Sequence, residues 1–204
     1  MLYNSGVILE ILKYGHPVLR ERGKRISRVA PELRQLAADM IETMHAANGV
    51  GLAAQQIGRA IRLTVVDVKD ADRPSEIVID GKPQDVAPLM PMVLVNPVIK
   101  HSEGEAVSCE GCLSVPEISA EIRRAARITV EAEGLDGRPI MFEGTGLLSR
   151  VVQHEIDHLN GVLFIDRMDA ATRASFSGKL KKMQKETQAS LDKPAKSSRQ
   201  LARL

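Results

Sequence analysis

Two histidines stand four residues apart in the stretch Gln153-His154-Glu155-Ile156-Asp157-His158, with a glutamate beside the first. On an α-helix, residues four apart lie one turn up the same face, so both imidazoles can chelate a single metal ion. Glu155 is rotated roughly 100° away, yet its side chain is long enough to reach a water on that ion. The pattern His-Glu-x-x-His marks many zinc hydrolases, in which the glutamate is the general base. The plain alternative is a helix that happens to carry two polar side chains. The neighbours weigh against it. The flanking residues are apolar, and burying two imidazoles with the carboxylates of Glu155 and Asp157 is costly unless they are paired or metal-bound.

Two histidines do not complete a catalytic site, which usually has three protein ligands and one open position. The carboxylates after His158 are Asp166, Asp169, Glu186 and Asp192, and none sits in a helical motif that would supply a third ligand. The two cysteines remain, in Cys109-Glu110-Gly111-Cys112. Such a pair can be redox-active or half of a structural zinc site. A closed Cys2His2 set would leave no open position and no task for Glu155. A redox pair usually opens a helix after a strand, and here Pro116 follows closely. Cys109 taken alone reads as a small buried residue rather than a ligand.

The elements that must position these residues can be read from periodicity. Pro31 opens an amphipathic helix with Leu33, Leu36, Met40, Ile41 and Met44 on one face, and Asn48-Gly49 is its expected stop. Residues 61–68 read as a buried strand. Residues 69–91, rich in Asp, Pro and Lys, read as an excursion with a short strand at Glu76-Ile77-Val78-Ile79. Residues 92–100 form a second strand, which Pro97 should place at an edge or a bulge. Residues 126–144 read as a hairpin turning at Asp136-Gly137. Residues 146–160 are apolar nearly all round. They therefore predict a central, buried helix, N-capped by Thr145 and ended by Gly161. Asp169 should cap a last helix with Phe176, Leu180 and Met183 on one side, and periodicity fades after Ser190.

Composition bounds the function. The chain has 204 residues, enough to bury a core without disulfides. Aromatics make up 2%, which argues against single-stranded nucleic-acid binding by base stacking. The net charge of +2 is too small to predict a DNA or other nucleic-acid partner for the whole molecule. No apolar run of about 18 residues predicts a membrane span. The N-terminus lacks a secretory pattern, so a reducing cytoplasm is the expected setting.

Three separated segments now belong together: Gly49-Val50-Gly51-Leu52-Ala53-Ala54-Gln55-Gln56, Glu110-Gly111-Cys112-Leu113-Ser114 and Gln153 to His158. In this order they resemble the motifs of the peptide deformylase family, over roughly residues 7 to 170. A lone His-Glu-x-x-His is weak evidence, whereas three ordered motifs are specific. The resemblance implies that Cys112 joins His154 and His158 as metal ligands. It implies iron(II) in cells, with zinc, nickel or cobalt able to take the same place. It also implies hydrolysis of the formyl group from N-formylmethionine at the start of new polypeptides. Glu155 would move the proton, and Gln56 with the backbone N–H of Leu113 would meet the oxyanion, each such donor worth about 3 kcal/mol. Val50, Gly51, Leu147 and Val151 would line the substrate site, with the peptide pairing along Gly49-Val50-Gly51 and the His154 ring beside the methionine pocket. Glu110 would pair with Arg124 as structural support. Gln153 and Asp157 would orient the histidines. Two departures stand out: Ser119 where some relatives carry Arg, and Arg150 near the pocket where others are apolar.

The resulting expectation is an α+β fold, with mostly antiparallel sheets around a central metal-binding helix and a C-terminal helix. Residues 1–168 would form the catalytic domain, and residues 169–204 a C-terminal helix with a basic tail that includes Lys193, Lys196, Arg199 and Arg203. The ordinary reading of that tail is a solvated face. The sharper one is docking to the ribosome, where formylated chains emerge. A zinc peptidase using the same helix, and a structural Cys2His2 module, are the competing functions.

Overall fold

The computed structural model describes residues 7–192 of the chain. The basic residues Lys193, Lys196, Arg199 and Arg203 lie outside these described residues.

Helix α1 (Pro31–Ala46) buries Leu33, Ala37, Met40 and Met44, while Leu36 and Ile41 sit half-buried at the edge of that stripe. The left-handed residue that ends it is Asn48, at φ 53°, rather than Gly49. Strands β1 (Gly51–Ala53), β2 (Leu63–Val66), β3 (Ser75–Ile79), β4 (Lys82–Gln84), β5 (Met92–Glu103), β8 (Arg127–Glu133) and β9 (Pro139–Thr145) form one antiparallel sheet in the order β1-β2-β5-β8-β9-β3-β4. β1 is therefore an edge. Strands β6 (Ala106–Cys112) and β7 (Val115–Arg124) form a separate hairpin.

Pro97 lies in a central strand, not at an edge. The chain bulges there, with a register shift between Val95 and Val98 and Asn96 at φ 54°. The Asn96 side chain accepts from the Ile26 N–H and donates to the Ile26 carbonyl and to Glu133, which holds the bulge. Residues 69–91 are more ordered than their composition suggests: β3 pairs with both β4 and β9.

Helix α2 (Gly146–Leu159) packs one side on the sheet, where Leu148, Val151, Val152 and Ile156 meet Val66, Leu94, Ile128, Val130 and Phe142. α1 covers the opposite face through Leu33, Met40 and Met44 against Leu63, Val65 and Val95. The β6–β7 hairpin rests on a further apolar group that includes Val18, Phe164 and Leu180. Thr145 is the N-cap residue of α2, but its hydroxyl does not cap. It donates to Glu76, and the helix is capped from β3 instead. The C-terminal segment divides at Phe176 into α3 (Ala170–Ser175), capped by Asp169, and α4 (Ser177–Leu191), so the single last helix expected from the sequence is two. Phe176, Leu180 and Met183 share an apolar side, as their spacing implies.

Candidate active site

The two histidines project from the second half of α2, and Cys112 ends β6 where the hairpin register slips between Gly111 and Cys112. One ligand atom each from Cys112, His154 and His158 lies within 4.8 Å of the others. Cys112 Sγ is 3.3 Å from His158 Nε2, and the two rings sit edge to face with centroids 5.0 Å apart. His154 Nδ1 is 3.0 Å from Glu110 Oε2. An ionised carboxylate only accepts, so Nδ1 carries the proton and Nε2 is left for ligation. His158 is buried and lies beside positive charge. Its pKa is held well below the ordinary value, so the imidazole stays neutral as a metal ligand requires. Burial opposes charge on His154 too, but Cys112 and Glu110 outweigh it and push that imidazole up to about 10. Such a pocket attracts positive charge. One sulfur and two imidazoles suit a soft or borderline divalent ion, and the residues present fit a metal.

Glu155 points into the same space. It is 2% exposed, and its Oε2 is buried without a hydrogen-bond partner. Burial pushes its carboxyl up to about 7, which places proton exchange near neutral pH. Gln56 follows β1 in a short 3-10 turn (Ala54–Ile57). Its Oε1 accepts the Ala53 N–H at 2.8 Å, which fixes the amide so that Nε2 faces Ser114 Oγ at 3.2 Å and Cys112 Sγ at 3.6 Å. Leu113 follows Cys112 at the hairpin turn, its carbonyl held by Lys13 Nζ at 2.9 Å. A cavity of about 480 Å³ opens onto these groups between β1, the hairpin and α2. Val50, Gly51, Leu147, Val151 and the His154 ring all line it.

The sequence model of the polypeptide deformylase family matches residues 8–174. A peptide deformylase of Opitutus terrae is 44% identical over 183 residues, covering 89% of this chain and 95% of its own. The chain belongs to the peptide deformylase family. The crystal structure of peptide deformylase from Thermus thermophilus is 38% identical and superposes with a TM-score of 0.74 over 88% of this chain and 99% of that one. That from Synechococcus elongatus, in complex with actinonin, is 35% identical with a TM-score of 0.69 over 88% and 86%. The family is metal-dependent, and its reaction is removal of the N-formyl group from nascent peptides.

Around the deformylase centre lies a charge network only partly visible in the sequence. Glu110 accepts from Arg124 Nε and Nη2, both at 2.9 Å, and from Arg150 Nη1 at 2.6 Å. Burial alone would raise the Glu110 carboxyl, but Arg124 and His154 hold it far below the usual carboxylate range. Arg124 also donates to Asp157, which takes two bonds of 2.5 Å from Arg167. Arg150 lines the cavity, but its guanidinium is engaged by the surrounding backbone and Glu110. It donates to the carbonyls of Ala106 at 2.7 Å and Ile122 at 2.9 Å, so the departure near the pocket is a support for the hairpin.

Other expectations need correction. Gln153 does not orient a histidine: its amide pairs with the N–H and carbonyl of Ala125 at 3.1 and 2.9 Å and ties α2 to the β7–β8 junction. Asp157 likewise reaches arginines, not imidazoles. Cys109 is exposed on the cavity wall rather than buried. Strand alternation is the signal for that, because it turns Cys109 opposite to buried Glu110. Ser119 lines the cavity, as the resemblance implies.

Proposed function

We propose that Cys112, His154 and His158 hold one divalent metal ion in this chain, and that Glu155 moves the proton, as the formyl group leaves N-formylmethionine and formate is released. Bound there, the ion supplies Lewis acidity, which acidifies a water and polarises the formyl oxygen. Glu155, poised near neutrality by burial, accepts the water proton and returns it to the departing nitrogen. The anchored amide of Gln56 and the N–H of Leu113 donate to the oxygen on which negative charge grows. Val50 and Gly51 offer the free edge of β1 to the peptide backbone, since β1 has a neighbour on one side only. Leu147, Val151 and the His154 ring receive the methionine side chain. Glu110 and Arg124 keep His154 in place. The convergence of three ligand atoms beside the unpartnered carboxylate oxygen of Glu155 is the observation that carries this reading.

The cofactor in cells is taken to be iron(II), with zinc, nickel or cobalt accommodated by the same donors. Nascent formylated chains place the enzyme in the cytoplasm, and among the described residues no helix is long and apolar enough to cross a membrane. The ribosome is the proposed partner of the C-terminal segment, through exposed Lys179, Lys181, Lys182 and Lys185 on α4 together with Lys193, Lys196, Arg199 and Arg203 of the tail. Truncation after Thr187 keeps the anchor of that residue on the Tyr14 carbonyl. It should weaken ribosome binding in a salt-dependent way while sparing turnover of a short peptide. Unchanged ribosome affinity would dispose of the partner.

The test of the activity is formate release from formyl-Met-Ala-Ser by anaerobically purified protein, with metal measured on the same sample. Release should track metal content. A peptidase would instead cleave an internal amide and leave the formyl group on.

A further inference from the structure

The excursion of residues 69–91 does more than connect β2 to β5. Just before β3, the Pro74 carbonyl accepts the Leu147 N–H at 3.1 Å, and Ser75 Oγ accepts the Leu148 N–H at 3.0 Å. Both are first-turn donors of α2 with no partner inside the helix. The approach is close: a Cβ on Gly146 would lie 2.2 Å from the Pro74 oxygen. Arg73 is thus held one residue away from the capped end of the metal helix.

From there the Arg73 side chain donates to Ser108 Oγ on β6. Arg73 lines the same cavity as Leu147, Arg150 and Val151. Leu147 lies two turns before His154, roughly 10 Å along the axis at 1.5 Å per residue. Arg73 therefore lies at the Leu147 end of the cavity, beside the first turn of α2 and remote along the helix from the ligand cluster. Arg150, the other cation there, is committed to Glu110 and to the carbonyls of Ala106, Ser108 and Ile122. Arg73 is exposed, and among the described residues it forms no ion pair. With one bond to Ser108, its guanidinium keeps further donors free to face a bound side chain.

We propose that Arg73 is a specificity-determining residue that gives the first side-chain pocket a hydrogen-bond donor at its far end, so that the enzyme processes formyl-methionine sulfoxide as well as formyl-methionine. The inference rests on the assignment of the methionine pocket to Leu147 and Val151. An all-apolar pocket strips water from a sulfoxide oxygen and returns nothing, whereas a guanidinium N–H replaces the lost bond.

The experiment compares kcat/KM for formyl-Met-Ala-Ser with that for both epimers of the same peptide carrying methionine sulfoxide. The proteins are wild type, Arg73→Leu and Arg73→Lys, with a thermal melt to confirm folding of each. In wild type the better epimer should fall within about tenfold of the unoxidised peptide. Arg73→Leu should widen that ratio by on the order of tenfold, and Arg73→Lys should restore part of it. A wild-type enzyme that already rejects both epimers by more than about a hundredfold overturns the proposal, as does a ratio that is the same in all three proteins. Failure of the pocket assignment shows separately: Val151→Phe would then leave the preference for methionine over alanine at the first position unchanged. Failure of the deformylase reading shows as no formate from formyl-Met-Ala-Ser at all.

Discussion

A methyl group placed on Gly51 would lie 2.3 Å from Oε1 of Glu155 and 2.8 Å from the side chain of Val151. The backbone of the edge strand β1 and the carboxylate of α2 are thus in direct contact. Gly51 lies outside the left-handed region, so space alone demands glycine. Gly51→Ala should displace Glu155 and lower kcat by about 10²-fold, because displacements near 1 Å cost that much in catalysis. Metal content should stay at the wild-type level, since the atoms nearest that methyl belong to Glu155 and Val151 rather than to a proposed ligand. Steady-state kinetics paired with metal analysis checks this, and near-normal kcat would refute the contact.

Glu110 is the hub of the buried charges. Glu110→Ala leaves the Arg124 and Arg150 guanidiniums without their shared acceptor. The loss should be about 3–5 kcal/mol of stability, as for other broken buried pairs. Urea unfolding of the metal-loaded protein measures it, and a loss under about 1 kcal/mol would show that solvent reaches the network.

The buried Glu155 carboxyl sets a pH dependence of known sign. Its folded pKa is about 7, above its ordinary value of 4.5, so between those values the folded protein binds more protons than the unfolded chain. Stability from this group is full below about pH 4.5 and is lost as pH rises through 7. Gln at 155 stays neutral. Chelator-treated Glu155→Gln should therefore match the wild type in acid and exceed it above pH 7 by on the order of 2–3 kcal/mol. Denaturant midpoints between pH 5 and 8 give the comparison, and parallel curves would contradict it.

The two cysteines should separate cleanly. Cys112→Ala removes a proposed ligand and should abolish bound metal, with at least a roughly 10³-fold loss of formate release. Cys109 is exposed and outside the ligand cluster, so Cys109→Ala should keep full metal content. Metal loss in Cys109→Ala would instead revive a four-ligand structural site.

Helix α2 was legible because its signals are local. A four-residue spacing places His154 and His158 on one face, and an apolar circumference marks the helix as buried, whatever the rest of the chain does. The roles proposed for Cys112, Gln56 and Leu113 rest on the family resemblance: Cys112 stands in a pair whose reading its spacing leaves open, and nothing in the neighbourhoods of the other two distinguishes them. What escaped the sequence depends on distant partners. Arg150 reads as an intruder in an apolar helix until β6 and β7 bring it carbonyls from Ala106 and Ile122. Thr145 has the chemistry of a cap, but Ser75 from the excursion arrives first at the helix end. Gln153 sits beside His154 in sequence yet points to Ala125.

The central claim is one metal ion held by three side chains with a corner left open. X-ray absorption and an anomalous-diffraction structure of the metal-loaded protein test it most directly. For the zinc-loaded protein the account predicts one sulfur at about 2.3 Å, two imidazole nitrogens at about 2.0–2.1 Å, and a remaining ligand from solvent. A Cys112 sulfur beyond bonding distance, or a fourth ligand supplied by the chain, would contradict it.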